Sequence, residues 1–225
     1  MRFTNPGLLL GLCLALLVAA CSSGPKPAKP TGDDEATAAS RESSILPEGP
    51  VSPNPYLQDV PRLSSGLQQE FNLALAAMEQ QRWAEAEQRL QRLSREHSRY
   101  SGLALNLGLV YRAQGDLAKA EQAFTEALSR NSKNLDAYNQ LAILKREAGD
   151  FAAAEDLYRQ ALAVWPYHPE SHRNLGILYD LYLGREAEAL AHYRAYRQLL
   201  QEEDRQLESW IADLERRLGA QASGG

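Results

Sequence analysis

Residues able to do chemistry are sparse in this chain. The densest set is His168-x-Glu170-x-His172. Two imidazoles at i and i+4 can meet on one helix face. With a carboxylate between them they raise the idea of a metal-dependent hydrolase. Pro169, however, places a helix start between the two, and His172 falls at a packing position of the helical pattern. Structural imidazoles are the expectation, with no metal site, no cofactor and no catalytic residue. The chain carries no glycine-rich phosphate loop, no zinc-protease helix motif and no G-x-S-x-G elbow. Thiol chemistry rests on two cysteines, Cys13 and Cys21, both near the start.

The elements that must position any site come from a repeat. Leu107, Gly108, Tyr111, Gly115, Leu117, Ala120, Phe124, Ala127 and Leu128 recur 34 residues later. The second copy is Leu141, Ala142, Lys145, Gly149, Phe151, Ala154, Tyr158, Ala161 and Leu162. Each copy reads as two helices, with apolar positions at helical spacing broken by Gly115-Asp116 or Gly149-Asp150. The alanines suit a close helix crossing, and Phe124 and Tyr158 fill the space beside it. One such helix pair cannot bury its own apolar face, so neighbours must stack.

This pattern resembles the tetratricopeptide repeat, with Pro166 at that family's closing proline and departures at Ala142 and Lys145. The resemblance implies an all-α, right-handed solenoid with a concave face that binds peptide segments. Counting by 34 gives repeats at 67–100, 101–134, 135–168 and 169–203. The first is degenerate, with Gln81-Arg82 in place of Gly-Asp. The fourth slips by one residue between Asp180 and Gly184, which predicts a longer first helix or a bulged turn. Leu207, Trp210, Ile211, Leu214 and Leu218 then mark an amphipathic helix over 204–218. It is expected to cap the open end, the alternative being an arm that projects outward. The helical domain spans 66–218, and 219–225 is expected to be a disordered tail.

The N-terminus reads as targeting sequence. Arg2 precedes an apolar run from Leu8 to Val18, too short for a typical spanning helix. Leu17-Val18-Ala19-Ala20-Cys21 resembles the bacterial lipobox. That resemblance implies removal of residues 1–20 and acylation of Cys21. Cys13 is lost with the signal segment, which leaves no pair for a disulfide. Ser22, where aspartate would retain the protein in the inner membrane, favours the outer membrane, with the chain facing the periplasm. Residues 21–65 hold eight of the eleven prolines amid Ser, Gly, Ala, Thr and charge. They are expected to form a flexible tether spanning roughly 35–40 Å. Ile45-Leu46 and Tyr56-Leu57 are possible short docking segments within it.

The family resemblance places the binding groove on the first helix of each repeat. Its sixth position carries Asn72, Asn106, Gln140 and Asn174, a row of amides. An amide both donates and accepts, so such a row can pair with an extended backbone, or can simply tie neighbouring helices together. Phe71, Leu75, Leu105, Leu109, Ile143 and Ile177 would form an apolar floor. Arg112, Arg146 and Arg173 supply positive charge against Asp136, Glu147, Glu170 and Asp180. A groove of mixed sign suits a protein segment. The family's carboxylate-clamp residues are replaced by Phe71, Leu75 and Asp136. Net charge is −5, with 24 basic residues scattered among 29 acidic ones, so no nucleic-acid footprint is visible. These readings together predict a non-enzymatic, outer-membrane-anchored adaptor for protein partners in an envelope machine. Resemblance in layout suggests pilotin-type lipoproteins of type IV pilus secretins, adaptors of peptidoglycan hydrolases, or accessories of TonB-type energy transduction. The sequence does not fix the oligomeric state.

Overall fold

The computed structural model describes residues 44–223. Cys21 and the expected signal segment lie outside them. Every regular element among the described residues is helical. A short helix α1 (Pro55–Asp59) precedes four helix pairs. These are α2 (Ser65–Glu79) with α3 (Trp83–Glu96), α4 (Ser101–Ala113) with α5 (Leu117–Arg130), α6 (Leu135–Glu147) with α7 (Phe151–Val164), and α8 (Pro169–Leu178) with α9 (Glu186–Leu199). A final helix, α10, runs over Arg205–Ser223. Each helix packs on its successor from α2 to α10, so the all-α solenoid expected from the 34-residue period is the fold.

The turn inside each pair follows from two residues. Gly115 and Gly149 adopt φ +82°, a left-handed conformation that costs glycine nothing. The aspartate after each accepts a hydrogen bond from a backbone N–H of the next helix. Asp116 takes that of Lys119 at 3.1 Å and Asp150 that of Ala153 at 3.2 Å. The first pair keeps the geometry without the chemistry: Gln81 is held at φ 56° and Arg82 makes no side-chain cap. Gln81→Gly is therefore expected to stabilise the chain by about 0.5–1 kcal/mol, read as a higher urea midpoint at unchanged slope.

Packing within a pair depends on a close approach. The ring of Phe124 lies so near Gly108 that a Cβ there would meet it at 2.4 Å. Tyr193 sits against Gly176 in the same way. Ala120, Phe124, Ala127, Ala154, Tyr158 and Ala161 are all fully buried, as the repeat requires. One apolar cluster runs through α2–α6, and a second joins α6–α9 to Leu207, Ile211 and Leu214 of α10. The last helix is thus a cap on the solenoid.

The structure settles or departs from the sequence reading in three places. The slip in the fourth pair is a π-helical turn at Tyr179–Leu183, closed by Gly184 at φ 63°. One extra residue widens the helix before the glycine ends it, so the bulged alternative is realised. The tail is shorter than expected, because α10 continues through 219–223. Arg217 and Gln221 bond Glu186 of α9, so the extra turn has partners.

The third departure is larger. Residues 44–64, expected as tether, cross the loops that join successive pairs. Tyr100 donates to the Arg62 carbonyl at 3.1 Å, and Tyr56 bonds Ser101 at 3.2 Å. Lys133 pairs with Asp59 at 2.5 Å. Trp165 donates to the Ser52 carbonyl at 2.9 Å, and Ser44 to Gln198 at 3.0 Å. Followed backwards, this strap visits all four pairs in order. Bonds to residues on successive loops hold it in place, and Pro55 opens its one short helix, α1. Tyr56 docks, whereas Leu57 stays exposed.

Candidate functional site

The first helices of the pairs, α2, α4, α6 and α8, carry the expected groove residues. Phe71 and Leu109 pack on the first apolar cluster, and Ile143 and Ile177 on the second, each remaining partly exposed. Leu75 is likewise half-buried, and Leu105 is buried. The apolar floor is therefore present as an intermittent surface.

The amides do not form one uniform row. Asn72 is exposed and accepts from Gln68 of its own helix at 2.8 Å. Asn106 donates to the Gly102 carbonyl one turn back, at 2.7 Å. Gln140 accepts from Arg112 at 3.1 Å across the α4–α6 step. Asn174 is buried and donates to Asn139 at 2.9 Å across the α6–α8 step. Two of the four thus tie adjacent helices together. Asn139 came unnoticed from the sequence, because nothing at its own repeat position marks it as polar and buried.

The charges are mostly committed to partners. Arg112 also binds Glu147 at 2.6 Å. Arg173 lies over the ring of Trp210 at 5.7 Å, which ties this arginine to the capping helix. Asp180 pairs with Arg217 of that helix at 2.7 Å. Glu170 approaches His168 at 3.2 Å, with Asp136 farther off at 3.8 Å. Arg146 differs: its guanidinium lies 5.8 Å from the Tyr182 ring centroid, and its Nε and Nη1 are buried with no hydrogen-bond partner.

A cavity of about 240 Å³ opens at the α2–α4 end of the groove. Phe71, Leu105 and Asn106 form one side, and Tyr56, Pro61 and Leu63 of the strap form the other, with Arg99 and Asp136 also lining it. The strap was missed as part of the site because its composition reads as disorder. The signal available was Tyr56, Val60 and Leu63, apolar residues scattered through a proline-rich segment.

The two histidines singled out by spacing do not face one another. His168 bonds Ser171 through Nδ1 at 2.8 Å. His172 Nε2 lies 2.8 Å from the Pro166 carbonyl, which can only accept, so this nitrogen carries the proton. His172 Nδ1 must then accept from Nδ1 of His192 at 3.0 Å. Both nitrogens of His172 are engaged and the residue is buried, which leaves no lone pair for a metal or a substrate. Among the described residues, no group of three or more His, Cys, Asp or Glu is placed to hold a metal ion.

This architecture is that of a helical repeat protein. The tetratricopeptide repeat profiles match residues 70–99, 99–166 and 133–202, together more than half of the chain, and the chain belongs to the tetratricopeptide repeat family. Such repeats are generally non-catalytic scaffolds for protein–protein interaction. Solved structures share the fold. A tetratricopeptide repeat protein from Parabacteroides merdae superposes with a TM-score of 0.58 at 24% identity, over 70% of this chain and 62% of that one. This chain thus spans less than two thirds of that protein's length. Pseudomonas aeruginosa pilF gives 0.61 at 17% identity, over 68% and 69% of the two chains. TTC0263 of Thermus thermophilus gives 0.56 at 24%, over 66% and 80%. No curated protein sequence matches the chain.

Proposed function

We propose that this chain is a lipid-anchored, non-enzymatic adaptor that holds a segment of a protein partner in its groove at the periplasmic face of the outer membrane. The observation that carries the reading is the pairing of two features in one chain. A lipobox-like Leu17-Val18-Ala19-Ala20-Cys21 precedes a tetratricopeptide solenoid whose first-helix face is polar, apolar and of both charge signs. Acylation at Cys21 supplies the membrane attachment. Among the described residues no helix is long and apolar enough to supply it by spanning. Two or more acyl chains give stable anchoring where one is marginal.

The setting we favour is assembly of an envelope machine such as a type IV pilus secretin. The fold likeness to Pseudomonas aeruginosa pilF supports it only as to architecture. Cys21→Ser is expected to abolish incorporation of radiolabelled palmitate and to move the protein from the membrane pellet to the soluble fraction. Continued membrane attachment of this variant would overturn the anchoring. A photo-crosslinker at Leu109, on the groove floor, is expected to trap one envelope protein reproducibly. The same probe at Leu117, exposed on a second helix, should not. Equal trapping at both positions would remove the groove from the proposal.

A further inference from the structure

The 34-residue period makes Arg112 and Arg146 equivalent, yet only one of them has acceptors. Arg112 spends its guanidinium on Gln140 and Glu147 of the next first helix. The residues one repeat further on are Asn174 and Leu181. Asn174 turns away to Asn139. Leu181 is apolar and exposed, and the π-helical turn brings the Tyr182 ring beside Arg146 instead. Arg146 is left with buried, unpartnered Nε and Nη1. The hydroxyl of Tyr158, a fully buried side chain, also lacks a partner. Two buried Arg146 donors at the α6–α8 step, and the Tyr158 hydroxyl on α7, thus have nothing to accept from them. Buried donors without acceptors are costly, and a guanidinium fork is shaped for a carboxylate.

We infer that Arg146 is a carboxylate-binding subsite of the groove, which receives an acidic group of the partner segment where Glu147 serves Arg112 within the chain. Leu181 stands where Glu147 supplies the internal carboxylate one repeat earlier, so the acceptor must come from outside the chain. Tyr182, against Phe151 at 5.0 Å, forms an aromatic wall beside it. This subsite rests on the adaptor reading only for the identity of its occupant; binding of a carboxylate by the chain alone is a separate claim.

The test uses the full-length chain, with detergent present to keep any acylated form in solution. The Arg146 Nε–H resonance is followed by NMR while capped amino acids are added at low salt. N-acetylglutamate N-methylamide presents a side-chain carboxylate and N-acetylalanine a terminal one. N-acetylglutamine N-methylamide is the neutral control. A saturable shift with either carboxylate, absent with the control, is expected, and the stronger of the two identifies the source. Arg146→Lys retains the charge without the fork and should weaken the effect on neighbouring resonances about tenfold. Equal shifts with the neutral probe, no shift with either carboxylate, or unchanged binding in Arg146→Lys would each overturn the subsite. Crosslinking from Leu109 separates the two claims. Partner capture by the parent chain, with no carboxylate titration of that chain, removes the subsite and leaves the adaptor. Titration without any capture does the reverse.

Discussion

Phe124→Ala is expected to lower the unfolding free energy by about 3–5 kcal/mol. Phe124 is fully buried at the crossing of α4 and α5, in the cluster that links the first three helix pairs. Removing the ring takes away buried apolar surface and leaves a cavity that two helices, held by neighbours on both sides, cannot close. The adjacent Gly108 sharpens the prediction. Gly108→Ala alone should also destabilise, by about 1–3 kcal/mol, because the added methyl meets the ring. In the Phe124→Ala background the same methyl enters the vacated space. The double variant should therefore be more stable than the sum of the single effects predicts, with a coupling of about 0.5–3 kcal/mol. Chemical denaturation of all four proteins measures it. Additive effects would mean that ring and glycine do not share the contact. The third pair offers an internal comparison, since Ala142 and the buried Tyr158 stand there in place of Gly108 and Phe124.

The repeat was legible because its signals are local and redundant. Gly115-Asp116 and Gly149-Asp150 encode turn and cap together, and the alanine and aromatic positions repeat at fixed spacing. The slip at Asp180 to Gly184 was visible for the same reason, as an offset in an otherwise regular count. What escaped depended on contacts between residues far apart in the chain. The strap looks disordered by composition, and its order comes from Tyr100, Lys133 and Trp165, each on a different loop. The groove positions were placed by counting, but counting does not say whether a side chain is spoken for. Asn174 and Gln140 occupy equivalent positions, yet one is buried against Asn139 and the other is held by Arg112. Arg112 and Arg146 look alike in sequence, and only the acceptors around them tell them apart.

Lowering the pH from 6.5 to 5 is expected to cost the folded chain about 2 kcal/mol through His192 alone. Burial holds His192 down at about 3, helped by His172, Arg159 and Arg185. Burial also lowers His172, against the pull of the Pro166 carbonyl. In the unfolded chain both return towards the ordinary imidazole value of 6.5. Well above 6.5 neither state is protonated and the pair has no pH dependence. Below it the unfolded chain binds protons that the folded chain refuses, so stability falls progressively as the pH drops towards 3. The geometry gives the reason. His172 donates through Nε2 and must accept through Nδ1, so a proton added there would point at the Nδ1–H of His192, 3.0 Å away. His192→Gln keeps a donor for His172 and removes one titrating group. It should leave stability at pH 7.5 within about 1 kcal/mol and flatten the decline between pH 6.5 and 5, a range in which ordinary carboxylates stay mostly ionised. Urea unfolding at half-unit steps of pH gives both curves. Parallel curves for parent and variant would show that His192 accepts its proton freely in the folded chain, and would remove the buried neutral pair.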